Sequence, residues 1–284
     1  MNIQLFNDDC FNILKDINDN SVDLLFADLP YCGITNSKKD SEVACKWNTP
    51  VDLELFWKEI NRVCKDTTPM FFTCSTKFGV SLINSNPKNF RYDLVWVKSS
   101  SCGFLNAKKM PLKKHEMVYV FYRKLPYYDL SSHKHKILKE RKTIDYKNDS
   151  FIYGKIDRPD YMRKNGESSY EPPLPNSVIK TELYSNENKE EPRELYRNEG
   201  GQYNPPLPNS LLEIKSEKGK HQTQKPTALI EWCLKYYSKE GDTILDPTMG
   251  SGSTGVACKN MNRNFIGIEK DLKIFKIAEE RINV

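Results

Sequence analysis

An acid, a proline and a tyrosine directly follow one of the most apolar segments of the chain. The segment from Val22 to Ala27 predicts a buried strand, and the next four residues are Asp28, Leu29, Pro30 and Tyr31. A turn explains the proline but not the carboxylate and the ring beside it. A carboxylate can accept N–H groups and a tyrosine ring can stack on a planar ligand. Other segments must supply the rest of such a site.

A second candidate lies near the carboxyl end of the chain, where a strand ends in Asp246 and a helix begins near Ser253. Gly250 and Gly252 in the loop between them let the backbone approach a ligand, and the helix start offers unpaired N–H groups to an anionic group. The next strand ends in Glu269, where Rossmann-type folds place an acid on ribose hydroxyls. This order of elements predicts an adenosine-containing cofactor. It does not by itself choose among several, and an ordinary structural loop is the alternative.

Two common nucleotide sites are disfavoured by the same loop. It lacks the lysine followed by serine or threonine that characterises a P-loop, and it departs from the GxGxxG pattern of NAD and FAD sites. No cluster of cysteine, histidine and acid has metal-ligand spacing, so no metal is predicted. His133 and His135 lack such partners nearby, and His115 is expected to be a hydrogen-bonding residue at a strand start.

The elements that must position these residues fall into three zones. Short apolar strands alternate with amphipathic helices in residues 1–124 and again in 221–284, which predicts a parallel sheet covered on both faces. The pattern dissolves in residues 125–220. We therefore predict one α/β domain, built from two halves and interrupted by an insert.

The insert is basic and rich in tyrosine. Ten of the fifteen tyrosines lie between Tyr122 and Tyr203, and residues 131–164 hold ten Lys and Arg against five Asp and Glu. This mixture is typical of phosphate-backbone contacts combined with stacking, and a solvated polar insertion is the alternative. The insert also contains an echo, YEPPLPNS at 170–177 and YNPPLPNS at 203–210, which predicts stiff extended arms or surface linkers.

Composition narrows the class of protein. Apolar residues make up 38% of the 284, enough for a sizeable core, and the net charge of +5 permits a polyanionic partner without requiring one. The eight cysteines contain no CxxC pair, which predicts reduced thiols. Neither a signal peptide nor an apolar run long enough for a membrane helix is found. We expect a soluble, cytoplasmic protein without a membrane partner.

Together, the segments DLPY, DPTMGSGST, HQTQKP and VWVK followed by HEMVYVFYRK resemble the amino-group DNA methyltransferases that use S-adenosylmethionine. Their order matches the β-type arrangement, in which the catalytic motif precedes the target-recognition region and the glycine loop comes last. The resemblance covers about residues 1–124 and 205–284. It implies a Rossmann-like methyltransferase domain with a mostly parallel sheet, interrupted by a basic target-recognition insert at 125–220. Leu29 and Gln222 depart from the family pattern, which has proline at both positions.

The resemblance also implies roles for individual residues. Asp28, Leu29, Pro30 and Tyr31 match the catalytic tetrapeptide. The cofactor would be S-adenosylmethionine, held by Asp9, Cys10, Asp28, Thr223, Gln224, Lys225, Asp246, Pro247, Thr248, Gly250, Ser251, Gly252, Ser253, Thr254, Glu269 and Lys270. Asp9 would contact its adenine, Glu269 its ribose, and the glycine loop and residues 223–225 its methionine end.

The chemistry of Asp28 agrees with that resemblance. An exocyclic amine on a base is a poor nucleophile because its lone pair is delocalised into the ring. Asp28 and the carbonyl of Leu29 could each accept one N–H and expose the lone pair, so that positioning and fixed dipoles do most of the catalysis. Pro30 would stiffen the loop, and Tyr31 would stack on a base flipped out of duplex DNA.

The resemblance implies methyl transfer to adenine N6 in DNA, because aspartate in the first position of the tetrapeptide favours adenine and serine favours cytosine N4. Cytosine-N4 transfer remains an alternative, as does an RNA or protein amide methyltransferase. A DNA-binding module with a decayed site, suggested by Leu29 and Gln222, is an alternative of a different class. DNA is the expected partner. The family is also compatible with a homodimer and a cognate restriction enzyme, and the recognition sequence does not follow from the residues.

Overall fold

The computed structural model describes residues 1–30, 51–102, 107–132, 134–140, 149–150, 154–155, 166–171, 178–179 and 224–283. The chain divides into two compact units. One comprises Met1–Tyr128 and Ser177–Val284, and the other comprises Asp129–Asn176.

The described residues contain twelve strands and six helices. The strands are β1 (Ile3–Phe6), β2 (Leu24–Ala27), β3 (Met70–Cys74), β4 (Phe90–Cys102), β5 (Lys113–Phe121), β6 (Lys134–Glu140), β7 (Asp149–Ser150), β8 (Gly154–Lys155), β9 (Gly166–Glu171), β10 (Val178–Ile179), β11 (Thr243–Asp246) and β12 (Asn264–Ile268). The helices are α1 (Cys10–Leu14), α2 (Leu53–Val63), α3 (Thr76–Ser85), α4 (Thr227–Tyr237), α5 (Ser253–Asn260) and α6 (Leu272–Asn283).

The larger unit is built on an eight-stranded sheet in the order β1-β12-β11-β2-β3-β5-β4-β10. Neighbouring strands are parallel except at β5, which runs antiparallel to both β3 and β4. The predicted α/β class with a mostly parallel sheet is therefore confirmed. Parallel neighbours require crossover connections, and the amphipathic segments expected from the sequence supply them as helices.

The core lies on both sides of β2 and β3, whose nine residues are all buried. Phe72 packs edge-on against Phe56, Trp57 and Phe121, with ring centroids 5.5 to 6.0 Å apart. Leu29, one of the two departures from the family pattern, contributes its side chain to the same core and is 2% exposed. The apolar residue at this position therefore anchors the segment that follows β2.

Helix α3 was not among the elements expected from the sequence. Ser75 accepts a hydrogen bond from the Phe78 N–H and so caps its start, and Phe78 and Leu82 face the core. Gly79 makes a helix hard to predict from this segment, because glycine lowers helix propensity. A Cβ at this position would lie 2.2 Å from the Tyr119 ring, so close packing against β5 explains the glycine.

The smaller unit contains two antiparallel strand pairs. Strand β6 pairs with β9 from Lys134 opposite Glu171 to Glu140 opposite Gly166, and β7 pairs with β8. The unit falls inside the predicted 125–220 insert. The exact boundaries of that insert stay a prediction, because residues 180–223 and most of both proline-rich echoes lie outside the described residues.

No helix within the described part of the chain combines the length and the apolar character needed to cross a lipid bilayer.

Candidate active site

Asp28 lies at the carboxyl end of β2, and both of its carboxylate oxygens are held. The Thr73 hydroxyl donates to Asp28 Oδ1 at 2.8 Å, and Lys225 Nζ donates to Oδ2 at 2.6 Å. The Lys225 side chain is 11% exposed and the Asp28 side chain 28%, so the lysine is largely and the carboxylate partly shielded from water. A carboxylate fixed at both oxygens in such a setting has a defined orientation and keeps further lone pairs available.

The sheet register brings these three residues together. Ala27 lies opposite Phe72 on the neighbouring parallel strand, so Asp28 and Thr73, one residue further, share the carboxyl edge. Lys225 directly precedes Pro226, the N-cap of α4. Open α/β sheets bind ligands at this edge, outside the carboxyl ends of their strands.

Two further charged side chains, Glu116 and Lys98, extend the ionic contacts beyond Lys225. Glu116 Oε2 lies 3.8 Å from Lys225 Nζ, and Glu116 Oε1 lies 3.3 Å from Lys98 Nζ. Both residues belong to the antiparallel part of the sheet, Lys98 on β4 and Glu116 on β5. The site thus contains an alternating row of four charges, which lowers the cost of burying each one.

The glycine loop between β11 and α5 is organised around Asp246. The Thr254 hydroxyl donates to Asp246 Oδ2 at 2.5 Å, and the Thr248 N–H donates to Oδ1 at 3.1 Å. Burial raises the pKa of Asp246 to about 7 against these hydrogen bonds, and the negative charges of Asp28 and Glu269 act in the same direction. Thr248 Oγ1 also donates to the backbone carbonyl of Asp28 at 3.3 Å, which joins this loop directly to the segment after β2.

The two loop glycines have different roles. Both have positive φ angles, +53° at Gly250 and +79° at Gly252, where a side chain is strained. A Cβ on Gly250 would meet nothing within 4 Å among the described residues, so the backbone there faces open space. A Cβ on Gly252 would lie 2.9 Å from the Cβ of Ala278 on α6. Gly250 is thus able to line a ligand, whereas Gly252 permits close helix packing.

Glu269 follows β12 and is half-buried. It accepts hydrogen bonds from the backbone N–H groups of Gly250 at 3.1 Å and Asp271 at 2.8 Å. Burial raises its pKa despite these bonds. Through its hydrogen bond with Gly250, Glu269 therefore connects the carboxyl end of β12 to the glycine loop.

Asp9 is the N-cap of α1 and accepts from the Phe11 N–H at 3.0 Å. Its carboxylate also pairs with Lys270 Nζ at 2.8 Å, and this contact lowers the pKa of Asp9. Burial raises the pKa of the neighbouring Cys10 thiol to about 11, so the thiol stays protonated and inert at neutral pH. Lys270 directly follows Glu269 in the chain, so its pairing with Asp9 brings the start of α1 to the end of β12. The cofactor roles of Asp9 and Glu269 stay predictions.

Most of the residues predicted for the site lie on the side of the sheet where the parallel strands have their carboxyl ends. The described members are Asp9, Cys10, Asp28, Leu29, Pro30, Gln224, Lys225, Asp246, Pro247, Thr248, Gly250, Ser251, Gly252, Ser253, Thr254, Glu269 and Lys270. Tyr31 and Thr223 lie outside the described residues, so their roles stay predictions. Lys225, expected at the methionine end of a cofactor, pairs with Asp28. This contact leaves the cofactor role of Lys225 a prediction, as it is for the other members.

Three polar residues of this edge were not found from the sequence: Thr73, Lys98 and Glu116. Thr73 is a buried polar residue near the end of an apolar strand, and this placement is the signal that the sequence offers. The strand register then puts it one residue past the Ala27–Phe72 pair. Lys98 and Glu116 lie in apolar strand segments; Glu116 reaches the site through its contact with Lys225, and Lys98 through its pairing with Glu116.

Comparison with known proteins gives three consistent results. The N6/N4-methyltransferase family model, described as DNA methylase, matches residues 22–280. The Type II methyltransferase M2.LlaDCHI of Lactococcus lactis subsp. cremoris is 51% identical over 71 residues, 24% of this chain and 26% of that protein. M.HinfI, a Type II methyltransferase of Haemophilus influenzae, is 26% identical over 294 residues, 96% of this chain and 66% of that protein.

Solved structures share the fold. The M1.HpyAVI–SAM complex aligns with a TM-score of 0.56 at 20% identity, over 99% of this chain and 100% of that one. The PvuII DNA methyltransferase, described as cytosine-N4-specific, aligns with a TM-score of 0.59 at 15% identity, over 99% and 86% of the two chains. The chain spans about a quarter of the first two curated relatives that it matches and 66% of the third.

The raised pKa of Asp246 predicts a pH-dependent stability. In the folded chain the carboxyl keeps its proton up to about pH 7, whereas in the unfolded chain it loses it near pH 4. The resulting stabilisation is complete below pH 4 and is lost as pH rises through 7. We expect Asp246→Asn to remove a decline of at most about 3 kcal/mol in the free energy of unfolding between pH 5 and 8, which covers the two pH units from 5 to the folded pKa of about 7. Urea denaturation at each pH measures it, with exposed Glu240→Gln as control; an unchanged decline in Asp246→Asn would contradict the assignment.

The loop glycines predict a difference between two alanine substitutions. Gly241 also has a positive φ, +83°, but a Cβ there would meet nothing within 4 Å among the described residues. Gly241→Ala should therefore cost only the left-handed strain of about 1–2 kcal/mol. Gly252→Ala adds the overlap with α6 and should cost roughly 1–3 kcal/mol more. Equal losses of unfolding free energy in the two variants would show that helix packing is not the constraint at Gly252.

Proposed function

We propose that this chain, which belongs to the DNA methylase family, transfers a methyl group from S-adenosylmethionine to adenine N6 in DNA. The observation that carries the proposal is the hydrogen bond from Thr248 Oγ1 to the Asp28 carbonyl. This hydrogen bond joins the glycine loop to the segment that carries Asp28, so ligands bound at the loop and at the carboxylate would be neighbours. Transfer of one small group requires such proximity between donor and acceptor sites.

The residues present fit S-adenosylmethionine. Gly250 borders open space, and the N-cap of α5 is Gly252, which supplies no side-chain cap, so backbone N–H groups remain for a ligand. Gln224 Oε1 is buried without a hydrogen-bond donor among the described residues, and an N–H of the cofactor could satisfy it. Glu269 would hold the ribose hydroxyls and Asp9 would contact the adenine. The cofactor supplies an electrophilic methyl group on a sulfonium.

Asp28 would act on the base. Its carboxylate would accept one N–H of the exocyclic amine and the Leu29 carbonyl would accept the other, which turns the nitrogen lone pair away from the ring. When the nitrogen takes the methyl carbon, the bond from that carbon to sulfur breaks and the sulfur leaves as a neutral thioether. The nitrogen then carries the positive charge, which the Asp28 carboxylate would stabilise. Asp28 could then take up the proton that the nitrogen loses. Pro30 would stiffen the segment and Tyr31 would stack on the flipped base, a contact worth about 1–3 kcal/mol.

The choice of adenine rests on aspartate as the first residue of the tetrapeptide. Cytosine N4 presents a similar amine, so identification of the methylated nucleoside is the decisive measurement. An RNA or protein amide acceptor uses related chemistry, and the basic, tyrosine-rich insert favours nucleic acid over protein. Competition among DNA, RNA and protein acceptors for labelled methyl transfer separates these functions.

The role of Asp28 predicts a specific loss. Asp28→Asn keeps the shape but removes the charge, so we expect methyl transfer to DNA to fall at least about 100-fold while cofactor binding changes little. Transfer of labelled methyl from S-adenosylmethionine, with analysis of the nucleosides, measures the first; calorimetry measures the second. Loss of cofactor binding instead would show that Asp28 serves the cofactor or the structure of its site rather than the amine.

Asp23 provides a matched control for this substitution. It precedes the same strand at the opposite edge of the sheet and likewise pairs with a lysine, Lys65, at 2.5 Å. Asp23→Asn should lower stability without lowering transfer. N4-methylcytosine as the product of the unmodified chain, or no DNA product, would contradict the adenine proposal.

The insert is proposed to contact the DNA backbone. Lys134, Lys136 and Lys139 lie along β6 of the smaller unit. Replacing all three with glutamine should weaken DNA binding and reduce the slope of log Kd against log salt by about 0.9 for each phosphate that a lysine no longer neutralises. Fluorescence anisotropy between about 50 and 200 mM salt measures that slope.

Lysines outside the insert serve as the control. Lys58 on α2 and Lys273 and Lys276 on α6 are exposed, and their combined replacement removes the same charge from the larger unit. This triple variant should keep the original salt slope. If the β6 variant keeps it too, the insert does not bind the phosphate backbone.

Three further expectations follow from the proposed activity. The chain should work where it meets DNA, in the cytoplasm. The family resemblance is compatible with a homodimer, which light scattering tests. A cognate restriction enzyme would be recognised as a nuclease that cuts the same sequence only when it is unmethylated.

A further inference from the structure

The carboxylate that would receive the substrate amine is already engaged. Asp28 Oδ1 accepts from Thr73 and Oδ2 accepts from Lys225 Nζ at 2.6 Å. An ammonium at that distance forms a strong, charge-assisted bond and competes with an incoming amine for the same oxygen. Any approach of the amine to Oδ2 therefore requires Lys225 to shift or to share.

A second carboxylate lies where a shifted Lys225 would need one. Glu116 Oε2 is 3.8 Å from Lys225 Nζ, beyond hydrogen-bond distance, and is buried without a hydrogen-bond donor among the described residues. A movement of about 1 Å would bring the ammonium within hydrogen-bond distance of that oxygen. Buried acceptors without a donor are uncommon and costly, so a hydrogen bond from Lys225 to Glu116 Oε2 would be favourable.

The other side of Glu116 is fixed. Its Oε1 pairs with Lys98 Nζ at 3.3 Å, and Lys98 Nζ also lies over the Trp96 ring at 5.2 Å. Trp96 lies opposite Glu116 in the β4–β5 register, so Lys98 and the ring below it belong to the same paired strands as the carboxylate. Glu116 therefore lies between two lysines, with Lys98 at 3.3 Å from one carboxylate oxygen and Lys225 at 3.8 Å from the other.

We propose that Glu116 is a positioning residue for Asp28 and that it acts through Lys225. Glu116 supplies a second carboxylate to the lysine, so that Lys225 stays bound in the site when Asp28 Oδ2 accepts the substrate amine. Without the charge of Glu116 the ammonium is no longer drawn away from Asp28 and remains on Oδ2. This inference rests on the proposed function, in which Asp28 receives the amine.

A double-mutant cycle tests the route through Lys225. Glu116→Gln preserves shape and removes the charge, and we expect kcat for DNA methylation to fall about 10–100-fold with KM for DNA within about threefold, because only the step at Asp28 is affected. Lys225→Met should lower kcat as well. In the Lys225→Met background, Glu116→Gln should cause little further loss, because the residue through which it acts is gone. Multiplicative losses would overturn the proposal.

A matched control separates positioning from structure. Glu59 on α2 is as buried as Glu116, 8% exposed, and pairs with Arg62 at 3.1 Å rather than with Lys225. Glu59→Gln should lower the thermal midpoint and leave kcat unchanged. Should Glu116→Gln fail to fold, Glu116→Asp keeps the charge and shortens the reach, and a smaller fall in kcat with unchanged KM is expected; no fall in kcat would overturn the proposal.

A readout without turnover accompanies the cycle. The decreases in thermal midpoint caused by Glu116→Gln and Lys225→Met should be less than additive in the double variant, and full additivity would show that the two side chains do not interact. The activity of the unmodified chain distinguishes a failure of the proposed function from a failure of the positioning role of Glu116. Absence of DNA methylation by it contradicts the proposed function, whereas an active chain with multiplicative variant losses contradicts the role of Glu116 alone.

Discussion

The ion pair between Asp28 and Lys225 joins residues 197 positions apart, and the remainder of the site is arranged around it. A charge that is shielded from water must be paired and hydrogen-bonded, or its burial becomes too costly. Thr73, Lys225 and, further on, Glu116 and Lys98 satisfy that requirement for Asp28. The two chain segments that form the α/β domain, residues 1–124 and 221–284, are thus joined by an ion pair as well as by the pairing of β2 with β11.

The parallel sheet makes this arrangement available. Strands β2, β3, β11 and β12 lie side by side in the sheet and all run in one direction, so Asp28, Thr73, Asp246 and Glu269 emerge at one edge. Thr248 then connects the glycine loop to the backbone of Asp28. The same edge therefore holds a nucleotide-type loop and a fixed carboxylate side by side, which is the geometry that group transfer between two ligands needs.

Local signals were sufficient for much of this architecture. The strand before Asp28, the glycine loop and Glu269 were all predictable, because apolar runs, glycines and strand-end acids act over a few residues. The pairing of Lys225 with Asp28 was not, since it depends on how distant segments meet. Helix α3 was not predicted because it contains Gly79, which disfavours a helix. The glycine is needed because the Tyr119 ring packs against it, and this contact between distant residues leaves no local sequence pattern. Leu29, a departure from the family motif, proved to be a core residue whose side chain anchors the segment.

In the proposed function, a carboxylate at the end of β2 directs methyl transfer to adenine in DNA. The decisive measurement is sequencing of the methylated bases in the genome of a host without methyltransferases that expresses either the unmodified chain or Asp28→Asn. We expect N6-methyladenine at one short recurring sequence with the unmodified chain and none with Asp28→Asn. A genome without methylated bases, N4-methylcytosine in place of N6-methyladenine, or the same methylation with Asp28→Asn would contradict it.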